Sequence, residues 1–289
     1  MDYLYHLLTL ISIYTILAVS LNLMLGYTGL FSLAHAAFFG IGAYMSGLLT
    51  LRLGLSFWLA MLLAIIGVVI IGAMLAIPTL RLGGDYFILA VLGFQIMISG
   101  VLYNWVDVTR GPFGLYGLRP PMLLDYSFSS PLAFTVLAGL LALILYLLAN
   151  RMVTSPFGRV MRAMREDQIA TQVLGKDIVT FKILVFAVAS GYAAVAGSLY
   201  AHYFTAINPL SFGLAESFFI VTMVILGGSG SLRGSVIGAA IVLLFPEALR
   251  LLNLPSTIAG PVQQIFFGLL LILCMLFRPQ GLLGEYRPR

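Results

Sequence analysis

Charge is what this sequence has least of: only 9% of its 289 residues are Asp, Glu, Lys or Arg, against about 25% in a typical soluble domain. A chain so poor in charge cannot present a water-solvated exterior, so lipid is its main solvent. Cysteine is almost missing. Cys274 stands alone, which excludes an internal disulfide and leaves no basis for a structural zinc site. No carboxylate–histidine cluster has metal-ligand spacing, and neither metal nor cofactor is expected. The basic residues gather on no solvated domain, so the net charge of +5 is an orientation signal and not a nucleic-acid footprint. A phosphate-binding G-x-x-x-x-G-K-[ST] loop is absent, as is the strict alternation of barrel strands. The opening MDYLYHLLTL lacks a basic n-region, so its apolar stretch is expected to stay as a membrane span.

Apolar runs fill the space that charge leaves, at 61% hydrophobic content. Windows of about 20 apolar residues fall near 4–25, 30–51, 56–79, 86–104, 131–150, 181–204, 214–228, 232–251 and 258–277. The expected fold class is therefore all-α and integral to the membrane: a polytopic helical bundle of about nine (8–10) transmembrane helices, in one membrane domain over 1–289. Residues 105–130 carry Gly and Pro pairs with Trp105, Tyr116 and Tyr126, which suits a structured loop at the headgroup level. Residues 26–35, GYTGLFSLAH, place glycines and polar groups at apparent membrane depth, where backbone unwinds only under cover of protein or water. Either a broken helix bordering a path or a plain turn between two spans fits that composition.

The long charged interruption at 151–182 holds Arg151, Arg159, Arg162, Arg165, Lys176 and Lys182, six of the 15 basic residues, with Glu166, Asp167 and Asp177. Its basic excess assigns it to the cytoplasmic side, as Arg278, Arg287 and Arg289 do for the C-terminus, with 105–130 and the N-terminus outside. Ser155-Pro156 reads as an N-cap and a preset first turn, and Gly175 as a left-handed stop. Between them a helix is expected, with Arg162 and Glu166 spaced to pair. A membrane protein with a folded helix in its main cytoplasmic loop offers that helix to a soluble partner.

Elsewhere the polar signals are sparse. Asn22, Thr28, Ser32, Gln95 and Ser99 interrupt apolar helices, either lining a path for a small neutral or zwitterionic solute or hydrogen-bonding between helices. His35, Glu216 and Glu247 are the ionisable groups nearest the membrane interior and are candidates for function by that position. Gly230, Gly234 and Gly238 form a small-residue ladder suited to close helix packing. Gly227-Gly228-Ser229-Gly230 matches the G-x-S-G of intramembrane serine proteases. A serine nucleophile needs a base in reach, however, and His6, His35 and His202 all precede Ser229. Leu25–Gly29 and Leu226–Gly230 share a glycine spacing that is near chance.

Several strings then occur in order: SLNLMLGYTGLFSLAHAAFFGIGAY at 20–44, GDYFILAVLGF at 84–94, SPFGRVMRAMREDQIATQVLG at 155–175, AGSLYAHYF at 196–204, LGGSGSLRGSVIGA at 226–239 and FRPQGLLG at 277–284. Over essentially the whole chain they resemble the permease subunit of branched-chain amino-acid ABC importers, the LivM type. The resemblance implies a non-catalytic subunit with the ABC importer permease fold in a bacterial inner membrane. It implies as partners a second homologous permease, two cytoplasmic ATP-binding subunits and a periplasmic substrate-binding protein, besides lipid. In that family the loop helix couples to an ATPase subunit, and the match falls on Arg162, Arg165, Glu166, Asp167, Ala170 and Gly175. The path would then draw on Asn22, Thr28, Ser32, His35, Gln95, Ser99 and Glu216. Permeases for urea and other amides share these motifs, and a secondary carrier would need no ATPase.

Overall fold

The computed structural model describes residues 2–82, 84–123, 126–250, 268, 269, 272–274, 276, 277 and 280–284, the side chains of 248–250 excepted. Among them run α1 (Asp2–Thr28), α2 (His35–Arg52), α3 (Phe57–Thr79), α4 (Gly84–Asn104), the single turn α5 (Val106–Thr109) and α6 (Pro131–Thr154). After these come α7 (Pro156–Glu166), α8 (Gln168–Val173), α9 (Ile178–Phe204), α10 (Leu214–Gly227) and α11 (Leu232–Arg250). The strands are two-residue pieces: β1 (Leu115–Tyr116) pairs with β4 (Ala206–Ile207), and β2 (Met122–Leu123) with β3 (Tyr126–Ser127). The chain is an all-α membrane protein. Five helices among the described residues, α1, α3, α4, α6 and α9, are long and apolar enough to cross a bilayer. The apolar stretch 258–277 and the arginines at 278, 287 and 289 fall largely or wholly outside the described residues.

Small residues set the packing. α9 lies between α2 and α3 and also meets α1, which packs further on α6 and α11. Gly42 presses on the Ala194 backbone and Gly197 on the Phe39 carbonyl, so any side chain at either would push α2 from α9. Lipid cannot drive helices together by hydrophobicity, and close backbone approach supplies the dispersion that holds them. The outer faces of α3 and α6 stay apolar and exposed, as Ile70, Met74, Leu140 and Leu147 illustrate.

The bundle has two distinct ends. At one, the α1 N-terminus meets α6 and α9 through Tyr5, Thr135, His6 and Tyr203, and the Arg52 guanidinium bonds the carbonyls of Asp107 and Val108. The loop expected at 105–130 is structured there, and β1 joins it to the stretch after α9. At the other end lie α7, α8, the end of α1 and the α10–α11 turn, with Arg151, Arg159, Arg162, Arg165, Lys176 and Arg233. We call this the basic end.

Two expected spans differ from the observed elements. The apolar run at 214–228 forms a helix of only 14 residues, about 21 Å long at 1.5 Å per residue, too short for a hydrocarbon core of about 30 Å. The run at 30–51 does not begin as helix: residues 29–34 are irregular, mostly buried, and α2 starts at His35. Hydropathy measures how apolar a run is and says nothing of the depth at which it begins. The 29–34 entry is sheltered by protein, which is the condition for irregular backbone at that depth; in 205–213, Ile207, Pro209 and Phe212 are buried while Thr205, Asn208 and Leu210 are exposed.

Candidate functional site

α2 and α10 enter the bundle from opposite ends, and their first turns meet inside it. His35, the first residue of α2, sits 2.6 Å from the Ser20 hydroxyl. Ser20 lies eight residues before the end of α1, so 29–34 climbs back about 12 Å from the basic end. α10 arrives from the other end and places Glu216 beside Tyr14, near the midpoint of α1, with the Tyr14 hydroxyl donating to the carboxylate at 2.6 Å. Chain alternation thus brings two helices, of 18 and 14 residues, to start beside each other inside the bundle.

Polar side chains bind the two starts together. The Ala36 N–H donates to the Ser217 hydroxyl at 3.2 Å, and the Ala37 N–H to the Gln95 amide oxygen at 2.7 Å. Ser217 in turn donates to the Leu33 carbonyl at 2.6 Å. The Gln95 NH2 donates to the Phe212 carbonyl at 2.9 Å and to Ser99 at 3.3 Å. Helix starts leave four N–H groups without intrahelical partners, and two of α2's are met by residues of α10 and α4. Gln95 is fully buried and reaches the first turn of α2 and the segment before α10 through opposite ends of one amide.

The expected path residues therefore have definite surroundings. Thr28 bonds its own helix at Met24, Ser32 accepts from Ala34, and His35 is buried with Nδ1 lacking a partner among the described residues. Ser99 is half-buried beside Gln95. Asn22 uses its whole amide: Nδ2 donates to the Ser231 carbonyl and the Ser235 hydroxyl, while Oδ1 accepts from the Gly230 N–H at 2.9 Å. Glu216 is the acidic group of the seven, mostly buried beside Tyr14. Glu247, at the far end of α11, accepts from the Tyr3 hydroxyl.

The glycine ladder meets backbone. A Cβ on Gly234 would strike the Gly227 carbonyl, and one on Gly238 the Met223 carbonyl, so α10 and α11 touch through their main chains. Gly230, at φ 81°, turns the chain between them. Gly26 and Gly230, members of the near-chance pair of similar strings, face each other. The GLLG of the C-terminal motif has a local purpose too. Leu282 and Leu283 donate N–H groups to the Leu226 and Gly227 carbonyls at 2.9 and 3.0 Å, capping α10, and a side chain at Gly281 would strike the chain at Gly228.

At the basic end the loop holds two helices where one was expected. Ser155 caps α7, accepting from Phe157, but Asp167 ends that helix and caps α8 by accepting from Ala170 at 3.0 Å. The expected Arg162–Glu166 pair is replaced by Arg165–Glu166 at 3.1 Å. Met161 and Met164 are buried under α7, and the Arg165 guanidinium, with its side chain 11% exposed, donates to the Gly26 carbonyl at the end of α1. Arg162 is half-buried, whereas Glu166, Asp167, Ala170 and Gly175 are exposed. Gly175 makes the left-handed stop at φ 76°. Asp177 begins α9, and the Thr180 hydroxyl holds its carboxyl below the usual carboxylate value. The sequence reading passed over Ile169, Val173 and Leu174, which stand 75%, 82% and 77% exposed on α8 and its end. Three large apolar residues in the most polar stretch of the chain were the available signal.

Comparison with known proteins adds three findings. Residues 3–275 match the family model described as branched-chain amino acid transport system / permease component. The high-affinity branched-chain amino acid transport system permease protein LivM of Escherichia coli (strain K12) is 34% identical, over 97% of this chain and 70% of its own length. The LivH permease protein of the same strain is 26% identical over 96% of this chain and 93% of its own, and a probable LivM from Methanocaldococcus jannaschii is 27% identical over 94% and 91%. No solved structure matches.

Proposed function

The chain belongs to the branched-chain amino acid transport system permease family, and on that premise we propose that it is the transmembrane subunit of an ATP-driven importer for branched-chain amino acids. It is a multi-pass permease component; the bacterial inner membrane is its proposed location. The nine-helix count takes α2, α10 and α11 with the five long helices and reads 258–277 as the ninth. The basic end is the cytoplasmic face, by the positive-inside rule, and 1–289 form one membrane domain.

One observation carries the coupling part of this reading. α7 and α8 form a folded cytoplasmic platform tied inward by Arg165 and presenting Ile169, Val173 and Leu174 outward. Exposed apolar side chains rimmed by Glu166, Asp167 and Lys176 suit a protein partner, and the partner proposed is an ATP-binding subunit. Glu166, Asp167, Ala170 and Gly175 border that surface, with Arg162 at its edge. The second permease is proposed to be a homologue, since LivM and LivH of one strain both resemble this chain. A binding protein delivers the solute at the opposite face. ATP binding draws the platforms together, α1, α2 and α10 shift, and the solute passes; the hydrolytic chemistry belongs to the partners.

The test is reconstitution of the permease pair with its ATP-binding subunits in vesicles, with leucine-loaded binding protein outside. Leucine uptake that requires ATP supports the reading. Uptake by the permeases alone would replace it with a secondary carrier, and uptake of urea or amides in place of leucine would replace the substrate.

A further inference from the structure

We propose that Glu216, braced by Tyr14, receives the ammonium group of the transported amino acid midway through the membrane, an inference that rests on the permease reading above. Glu216 stands in the first turn of α10, level with the middle of α1. Its carboxylate takes one hydrogen bond from the neutral Tyr14 hydroxyl, and no cationic side chain answers it among the described residues. The residue is mostly buried, on the face of α10 that also carries Phe219 and Ile220 and across the helix from the exposed Phe218. A carboxylate at that depth cannot face lipid hydrocarbon, and such groups turn toward a water-filled cavity or a protein neighbour. The face of α10 that carries Glu216, turned toward Tyr14 of α1, is therefore the side that borders the path.

The surroundings select the kind of cation. Phe219 stands edge-on to Tyr14 at 5.6 Å, and Phe39, Tyr200 and Phe212 interlock behind them at 5.0–5.8 Å between ring centroids. A negative oxygen next to aromatic faces suits an ammonium carried on an apolar body, through charge pairing and cation–π attraction. A metal ion would call for several oxygen ligands, and no metal-holding group of His, Cys, Asp and Glu occurs among the described residues. A neutral amide can donate a hydrogen bond to the carboxylate but leaves its charge unanswered. The Tyr14 bond orients the carboxylate and leaves its second oxygen for a transient partner. That suits a path, where binding must be weak enough to release.

Two measurements test this in the assembled, reconstituted complex. Replacing Glu216→Gln is expected to lower ATP-driven leucine uptake about tenfold, the scale of one lost charge-assisted contact, with Glu216→Asp recovering part of it. Independently, a hydrophobic carbodiimide is expected to label Glu216 in the wild-type complex, and turnover with leucine-loaded binding protein and ATP to slow that labelling. Labelling indifferent to leucine turnover would overturn the proposal even if Glu216→Gln failed to assemble. Undiminished uptake by Glu216→Gln would overturn it alone, whereas absent leucine uptake by the wild type would refute the permease reading and this inference together.

Discussion

Removing the Arg165 guanidinium should separate ATP hydrolysis from transport. The side chain is 11% exposed and donates to the Gly26 carbonyl, one of the orphan acceptors at the end of α1, while its other nitrogen holds Glu166. A hydrogen bond from a charged group contributes about 1.5–3 kcal/mol, and a cation at a helix C-terminus adds about 0.3–1 kcal/mol. Little of this is screened at so low an exposure. Arg165→Met keeps most of the stem and the packing on Gly29 but removes every donor. Losing about 1.5–3 kcal/mol from the link between platform and α1 corresponds to about a 10- to 150-fold shift in the linked population. The assay compares solute moved per ATP hydrolysed in reconstituted vesicles. We expect that ratio to collapse in Arg165→Met while the ATP-binding subunits remain bound, and Arg165→Lys to fall between. An unchanged ratio, with assembly intact, would refute the idea that this contact transmits motion.

Leu174→Asp with Val173→Ser should abolish co-purification of the ATP-binding subunits. Burying each large apolar side chain is worth about 1.5–3 kcal/mol, and retained assembly would mean that the subunits dock elsewhere. Gly234→Leu should lower the thermal stability of the permease, because the new side chain meets the Gly227 backbone, and overpacking costs about 1–3 kcal/mol. An unchanged melting temperature would show that α11 slides freely on α10. Gln95→Leu leaves the Ala37 N–H and the Phe212 carbonyl buried without their partner, at about 1–3 kcal/mol each. Its signature should be faster hydrogen exchange at the starts of α2 and α10; uniform exchange across the bundle would count against a local link.

Much of the frame was readable because each long helix announces itself by its own residues. Ser130-Pro131 and Ser155-Pro156 start α6 and α7 as N-cap and first-turn pairs, and α3 begins and ends within a residue of its apolar run. Of the glycine and polar cluster at 26–35, residues 29–34 are irregular, while 26–28 close α1 and His35 opens α2. The site was much less readable. Tyr14 and Glu216 are 202 residues apart, and Gln95 reaches Phe212 across 117. No local pattern encodes such a meeting. Asp167 looked like a partner-facing charge because its capping role depends on a helix break that the intact charge pattern concealed. α10 looked like a full span because nothing in the composition of 205–213 records that the chain has already turned inward.

The two readings of the polar residues in the membrane helices converge on a division of labour. Asn22, Ser217 and Gln95 are committed to main-chain groups of other elements, so they fix where the irregular segments lie and have little capacity left for a solute. A permease that must let its solute go cannot afford deep, fully answered polar pockets. It needs a few groups left under-answered on a rigid frame. Asn22 ties the end of α1 to the α10–α11 turn, Arg165 ties the same end to the platform, and Gln95 ties the first turn of α2 to the entry of α10. On the proposed coupling, displacement of α7 by a partner would be carried through α1 to the first turn of α10, where Glu216 stands. A shift of the frame as one body would then alter the surroundings of that carboxylate without breaking the bonds that hold the frame together, the route by which a motion begun at the basic end would reach a group placed halfway across the membrane.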